Sequence, residues 1–235
     1  MIVWLASFPR SGNTFFRIAL HRLYQVPTYV VYDVDGVAVQ IGTELMDARD
    51  RPGTLDEMRS SPEVHFVKTH RQRDDPSIAE ADRAICLARD GRDSVVSWAR
   101  LNTAQDTGEP DYEARFAAEA RSIITRRTGG TASWGQNVLS WQRSAAPQPF
   151  WVRFEDLIAD PQKTVEAAVN ATAPGLRPTE NGQIPTFDDL RGLDPGFFRA
   201  GKTGTHRTEL APDLQDLFWQ QPESAAAMRL LEYRP

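Results

Sequence analysis

Three short stretches carry side chains suited to holding an anion and moving a proton. Ser7-Phe-Pro-Arg-Ser-Gly-Asn-Thr-Phe15 sets a cation, Arg10, and a glycine, Gly12, directly ahead of an apolar helical pattern. Such a turn brings backbone N–H groups and a helix N-terminus to one point, which is a phosphate-shaped site. It is not the Gly-x-x-x-x-Gly-Lys-Ser/Thr loop of nucleotide triphosphatases, because the first glycine is absent and Asn13 stands where the lysine would follow Gly12. Lys68-Thr-His70 pairs a cation with an imidazole, a group that exchanges protons near neutral pH. Arg89 offers a planar guanidinium fork and Ser97, eight residues later, a hydroxyl donor, a combination suited to a dianionic phosphate. Taken singly each stretch has a plainer explanation: an ordinary strand–turn–helix, a structural histidine, or surface pairing of Arg89 and Arg92 with Asp90 and Asp93.

The elements that must position these residues are legible from apolar continuity. Ile2–Ala6, Val64–Val67, Ala84–Ala88 and Phe150–Val152 have the length and continuity of strands buried on both faces. Helical patterns cover Thr14–Leu23, Asp93–Leu101, Tyr112–Arg127, Trp134–Ser144, Pro161–Ala171 and Asp213–Gln220, with Asp160-Pro161 a start signal of N-cap and first helical residue. Strands alternating with helices predict an α/β fold of three layers around a mostly parallel central sheet, with a P-loop-like strand–loop–helix and ligands at the carboxyl ends of the strands. The Pro/Gly-rich stretches Ala173–Pro185 and Leu193–Gly204 read as surface loops. Neither a repeat nor a low-complexity segment is evident, and a single domain over residues 1–235 is expected.

In this order the stretches resemble the PAPS-dependent sulfotransferases of the cytosolic type, PAPS being 3′-phosphoadenosine 5′-phosphosulfate. The first is similar to their phosphosulfate loop, Tyr-Pro-Lys-Ser-Gly-Thr-Thr-Trp, with Phe8, Arg10, Asn13 and Phe15 as substitutions. The resemblance implies a phosphosulfate cradle at Arg10, Ser11, Gly12, Asn13 and Thr14, with Phe15 stacking on adenine. It also implies that His70 is the general base, that Lys68 and Arg10 neutralise the transferring group, and that Arg89 and Ser97 hold the 3′-phosphate. Trp134-Gly-Gln-Asn-Val-Leu-Ser-Trp141 and Trp151-Val-Arg-Phe-Glu-Asp-Leu157 look like the family's helix with paired tryptophans and its Tyr-Glu-Asp strand, which sets Phe154 among the nucleotide-binding residues. Phe198-Arg199-Ala-Gly-Lys-Thr-Gly204 resembles the Arg-Lys-Gly-x-x-Gly-Asp-Trp loop that closes over the 3′-phosphate, and Arg199, Gly201 and Gly204 carry over. Ala200 replaces the loop lysine and Thr205-His206 replace Asp-Trp, leaving Lys202 as the candidate second cation.

Composition agrees with such a reading and excludes others. A net charge of −5, from 27 Lys+Arg and 32 Asp+Glu, argues against nucleic acid as the main partner, so anion binding must be local. One cysteine, Cys86 within an apolar run, excludes an internal disulfide and a Cys-rich metal cluster, and it fits a reducing compartment. The N-terminus passes straight into the first motif without a signal-like or membrane-spanning run, so a soluble, cytoplasmic protein is expected. The expected donor is PAPS, with PAP (adenosine 3′,5′-bisphosphate) as product, no metal, and a small-molecule or glycan acceptor. The family's dimer signature, Lys-x-x-x-Thr-Val, is not evident, and a homodimer is left open. A triphosphate-dependent kinase of the P-loop type and a catalytically silent nucleotide-binding protein are the competing readings.

Overall fold

The computed structural model describes residues 1–143, 147–180, 182–198 and 201–234. Five strands form one sheet: β1 (Ile2–Ser7), β2 (Thr28–Val30), β3 (His65–Thr69), β4 (Arg83–Ala88) and β5 (Phe150–Arg153). Their order is β2-β3-β1-β4-β5, and every pairing is parallel. The chain fills one side of β1 with β2 and β3 and then crosses to the other side for β4 and β5. The switch point therefore lies at β1, where α/β sheets leave a crevice beyond the strand ends. Register aligns those ends, since Ala6 is opposite Thr69 and Ser7 is opposite Leu87.

Between β1 and β5 the chain supplies helices α1 (Asn13–Tyr24), α2 (Gly36–Ile41), α3 (Leu55–Ser60), α4 (Gly91–Asn102), α5 (Tyr112–Thr125) and α6 (Trp134–Gln142). After β5 come α7 (Phe154–Ala159), α8 (Pro161–Thr172), α9 (Phe187–Leu193), α10 (His206–Glu209), α11 (Pro212–Gln220) and α12 (Pro222–Leu230). β1 is apolar from Ile2 to Ala6 because both of its faces are covered. Val3 and Leu5 join Ile18, Leu20, Val165 and Val169 of α1 and α8, whereas Ile2, Trp4 and Ala6 join Met58 and Trp141 of α3 and α6. A third apolar cluster unites α4, α5, α6, α11 and α12 beside the sheet. Among the described residues no helix is long and apolar enough to cross a membrane.

Most predicted elements are found within a residue or two, and the exceptions have local causes. β2 was absent from the sequence reading because three residues at a sheet edge, just after Pro27, leave almost no pattern. Phe154-Glu-Asp156, expected on a strand, instead opens α7, since β5 ends at Arg153. The stretch from Leu193 is not wholly a surface loop: Phe197 and Phe198 are each 5% exposed and join the core beside α1 and α9. Asp160 does cap α8, accepting from the Lys163 N–H, with Pro161 in the first turn. Cys86 is buried and free in the core, and its surroundings push the thiol pKa up.

The packing of α6 on α12 makes one glycine indispensable. A Cβ built on Gly135 would collide with the backbone N–H of Ser224 and lie 2.6 Å from the Glu223 carbonyl oxygen, both backbone atoms. Backbone cannot swing aside as a side-chain tip can, so Gly135→Ala is expected to cost about 3 kcal/mol. For a chain of this size that is a fall of roughly 6–12 °C in the thermal midpoint. A calorimetric scan within a degree of the parent would contradict this account of the α6–α12 contact.

Candidate active site

The exits of β1, β3 and β4 open on one cavity of about 840 Å³. From β1 the chain turns through Pro9–Gly12 with two residues in the left-handed region, Arg10 at φ 65° and Gly12 at φ 94°. Gly12 caps α1, and a Cβ there would lie 2.7 Å from the Phe154 ring, so both conformation and space require glycine. Arg10, as a non-glycine residue in this region, holds a strained conformation that the turn imposes. The result is an α1 N-terminus with Gly12, Asn13 and Thr14 on the cavity wall.

Not every side chain of the loop faces that wall. Ser11 is fully buried, its hydroxyl 3.4 Å from that of Ser94 on α4, and it is not among the residues that line the cavity. The Asn13 side chain turns back to β1, its amide donating to the Leu5 carbonyl (2.9 Å) and to Ser7 Oγ (3.1 Å). The guanidinium of Arg10 reaches across the cavity, donating to Ser97 Oγ (3.1 Å) and the Phe197 carbonyl (2.8 Å) while lying 4.3 Å from the Phe197 ring. Ser97, expected beside Arg89, therefore meets Arg10 instead, although both arginines line the same cavity.

His70 follows β3, and its ring Nδ1 lies 2.8 Å from the Ser7 carbonyl oxygen and 3.2 Å from Ser7 Oγ. A carbonyl oxygen only accepts, so the short contact puts the proton on Nδ1 and leaves the Nε2 lone pair free. Burial lowers the His70 pKa to about 3, with the neighbouring Lys68 charge adding to the effect, so the ring is neutral over the physiological range. Tyr32 Oη accepts from the His70 backbone N–H (2.7 Å), and Asn137 donates to the His70 carbonyl (3.0 Å). Lys68 is buried, its Nζ 3.4 Å from Asp35. Desolvation lowers its pKa and the Asp35 charge opposes that shift.

Arg89, at the exit of β4, packs over the Phe154 ring at 4.7 Å and donates to the carbonyls of Lys202 (2.8 Å) and Arg10 (3.4 Å). Its Nε is buried without a hydrogen-bond partner, a donor that a bound anion would satisfy. Desolvation lowers its pKa, opposed first by Asp93. Asp93 in turn grips the loop that follows, accepting from the N–H groups of Gly204 (2.7 Å) and His206 (2.9 Å), from Thr205 Oγ1 (3.2 Å) and from His206 Nδ1 (2.7 Å). Burial alone would raise this carboxyl, but the His206 and Gly204 hydrogen bonds with Arg89 outweigh it and hold the pKa at about 2. Thr205-His206, the departure from Asp-Trp, thus serves to anchor the loop. Gly201 lines the cavity, Lys202 does so with an exposed side chain, and Arg199 lies outside the described residues.

A model of the sulfotransferase domain family matches residues 2–170, which takes in Arg10, Lys68, His70, Arg89 and Ser97. The chain belongs to this family. Comparison with curated proteins gives no match. Among solved structures, the sulfotransferase is similar to mouse sulfotransferase SULT7A1 complexed with PAP, at 14% identity over 98% of this chain and 88% of that one, with a TM-score of 0.63. It is also similar to retinol dehydratase in complex with androsterone and inactive cofactor PAP, at 16% identity over 100% and 82%, with a TM-score of 0.59. The sulfotransferase domain from the curacin biosynthetic pathway matches at 15% identity over 99% and 98%, with a TM-score of 0.51. At such identities these likenesses establish a shared α/β fold.

Several site residues of the sulfotransferase escaped the sequence reading. Phe187 packs against Phe15 (ring centroids 4.5 Å apart) and edge-on to Phe154 (6.2 Å), completing an aromatic group on the cavity wall. Thr186 and Asp189 form a capping box that starts α9 and points to this position, a signal present in the sequence. Gly201 touches the same group, since a Cβ there would lie 2.5 Å from the Phe187 ring. Asp35, Asp93 and Phe197 act through contacts distant in sequence, and no local pattern marks them.

Proposed function

We propose that this sulfotransferase moves the sulfuryl group of PAPS to a hydroxyl or amine of a small, largely apolar acceptor, residues 1–235 working as one domain. The observation that carries the reading is the convergence of Arg10, Lys68, His70 and Arg89 on one cavity, with a neutral imidazole among cations. PAPS supplies an activated sulfuryl group and a stable leaving phosphate, so the protein's work is positioning and charge neutralisation, as in phosphoryl transfer. The N–H groups at the start of α1, with Thr14, hold the 5′ end, while the Arg89 fork takes the 3′-phosphate. Phe15, Phe154 and Phe187 offer flat faces for adenine. The PAP named in two neighbouring structures supports this nucleotide.

His70 Nε2 accepts the acceptor's proton as its oxygen or nitrogen attacks sulfur, while the Ser7 carbonyl steadies the imidazolium through Nδ1–H. Lys68 and Arg10 neutralise the sulfuryl and bridging oxygens. An anion drawn beside Lys68 also cancels part of the positive field that depresses His70, so the base gains strength when the donor is in place. The cavity is further walled by Pro9, Tyr32, Val37, Trp98, Leu101 and Phe197, surfaces that suit an apolar alcohol or phenol better than a polyhydroxylated sugar. Incubation with PAPS and a panel of phenols, hydrophobic alcohols, amines and sugars tests the reading. Release of PAP together with a sulfated phenol or alcohol is expected. ATP-dependent phosphorylation of the same panel, with PAPS left intact, would contradict it.

A further inference from the structure

Lys68 does not stand alone at the end of β3. Its Nζ lies 3.4 Å from Asp35 Oδ1, the oxygen that also accepts the Val37 N–H (3.3 Å) and so caps α2. The other oxygen, Oδ2, is 2.7 Å from Arg17 Nη2. Arg17 projects from α1, little more than one turn behind the phosphate loop, with none of its side chain exposed. It is fixed there by donating from Nε to Thr28 Oγ1 (3.0 Å), which donates onward to the Met46 carbonyl (3.0 Å). A single carboxylate thus joins α1, β3 and α2, and α2 gives Gly36, Val37 and Gln40 to the cavity wall.

We propose that Asp35 is a positioning residue for sulfuryl transfer, holding Lys68 charged and aimed at the sulfuryl site while fixing α2 on the same cavity. The proposal rests on the PAPS reading above. A buried ammonium with no anion beside it sheds its proton, because low-polarity surroundings penalise the charged form. The charged and titratable groups around Lys68 are Asp35, Arg17, Arg10 and His70, and Asp35 alone among these is an anion. Arg17 already makes the shorter contact to Asp35, so Lys68 at 3.4 Å is steered without being consumed. Its three donors leave it able to bind an incoming oxygen. Two buried cations against one carboxylate also leave a net positive charge where the transferring group must sit.

The test uses the full chain labelled with ¹³C at the lysine ε-carbon, whose three lysines, Lys68, Lys163 and Lys202, are resolved by comparison with Lys68→Arg. Asp35→Asn is expected to lower the Lys68 titration midpoint by about one pH unit or more, a tenfold loss of proton affinity. Turnover on the best acceptor of the panel is expected to fall about 10²-fold, with its alkaline limb moved to lower pH. PAP affinity stays within about twofold, since Lys68 faces the sulfuryl group and not the bisphosphate. Asp35→Glu restores most of both effects. Should Asp35→Asn fail to fold, Arg17→Met with Asp35→Asn removes one charge of each sign and avoids stranding a buried arginine. A Lys68 midpoint indifferent to these changes overturns the role of Asp35. Failure of the parent protein to bind PAP overturns instead the PAPS reading on which it rests.

Discussion

Replacing His70 by alanine is expected to lower kcat by about 10²–10⁴-fold while leaving PAP affinity unchanged. The expectation follows from a ring whose Nδ1–H is spent on the Ser7 carbonyl and whose Nε2 is left as the proton acceptor. Because the folded pKa is lowered to about 3, the basic form is fully populated at neutral pH and persists as the pH falls to 5. Long-range ¹H–¹⁵N spectra of the four histidines should show His70 as the neutral Nδ1–H tautomer throughout that window. Full turnover by His70→Ala would remove His70 from the role of base, and an imidazole midpoint near 6.5 would contradict the buried, neutral ring.

Arg89→Ala is expected to weaken PAP about 10–100-fold while changing ADP affinity by less than about threefold, because ADP has no 3′-phosphate for the fork to hold. A hydrogen bond to a charged group contributes about 1.5–3 kcal/mol, and each 1.4 kcal/mol is about tenfold in affinity. Arg89→Lys should recover only part of the loss, since an ammonium cannot make the paired, planar contact. The substitution also takes a donor from the Lys202 carbonyl, but the four hydrogen bonds of Asp93 to Gly204, Thr205 and His206 keep that loop in place. Equal weakening of PAP and ADP in isothermal titrations would point to general damage to the cavity and against a 3′-phosphate fork.

The parts of the molecule legible in the sequence are those with local cause. β1 and β4 carry unbroken apolar runs, Ile2–Ala6 and Ala84–Ala88, because both sheet faces are covered, and parallel order brings the exits of β1, β3 and β4 together, so Arg10, Lys68, His70 and Arg89 could be read as neighbours. What was illegible depends on long-range partners. Asp35 is an ordinary loop aspartate until α1 sets Arg17 against it, and Thr205-His206 looks like a lost motif until Asp93 receives both. Asn13 and Ser97 show the limit of reading by spacing. Each sits where the pattern expects, yet one amide turns to Ser7 and the one hydroxyl turns to Arg10. Side-chain direction is set by neighbours that a linear motif does not contain.

The central claim is that the cavity reads a 3′-phosphate beside a phosphosulfate loop, and titration of the unmodified protein with PAP and, in parallel, with ADP tests it most directly. The account predicts that PAP binds at least about tenfold more tightly, a difference of about 1.4 kcal/mol. Equal affinities, or a preference for ADP, would contradict it and favour a triphosphate-using enzyme built on the same strand–loop–helix.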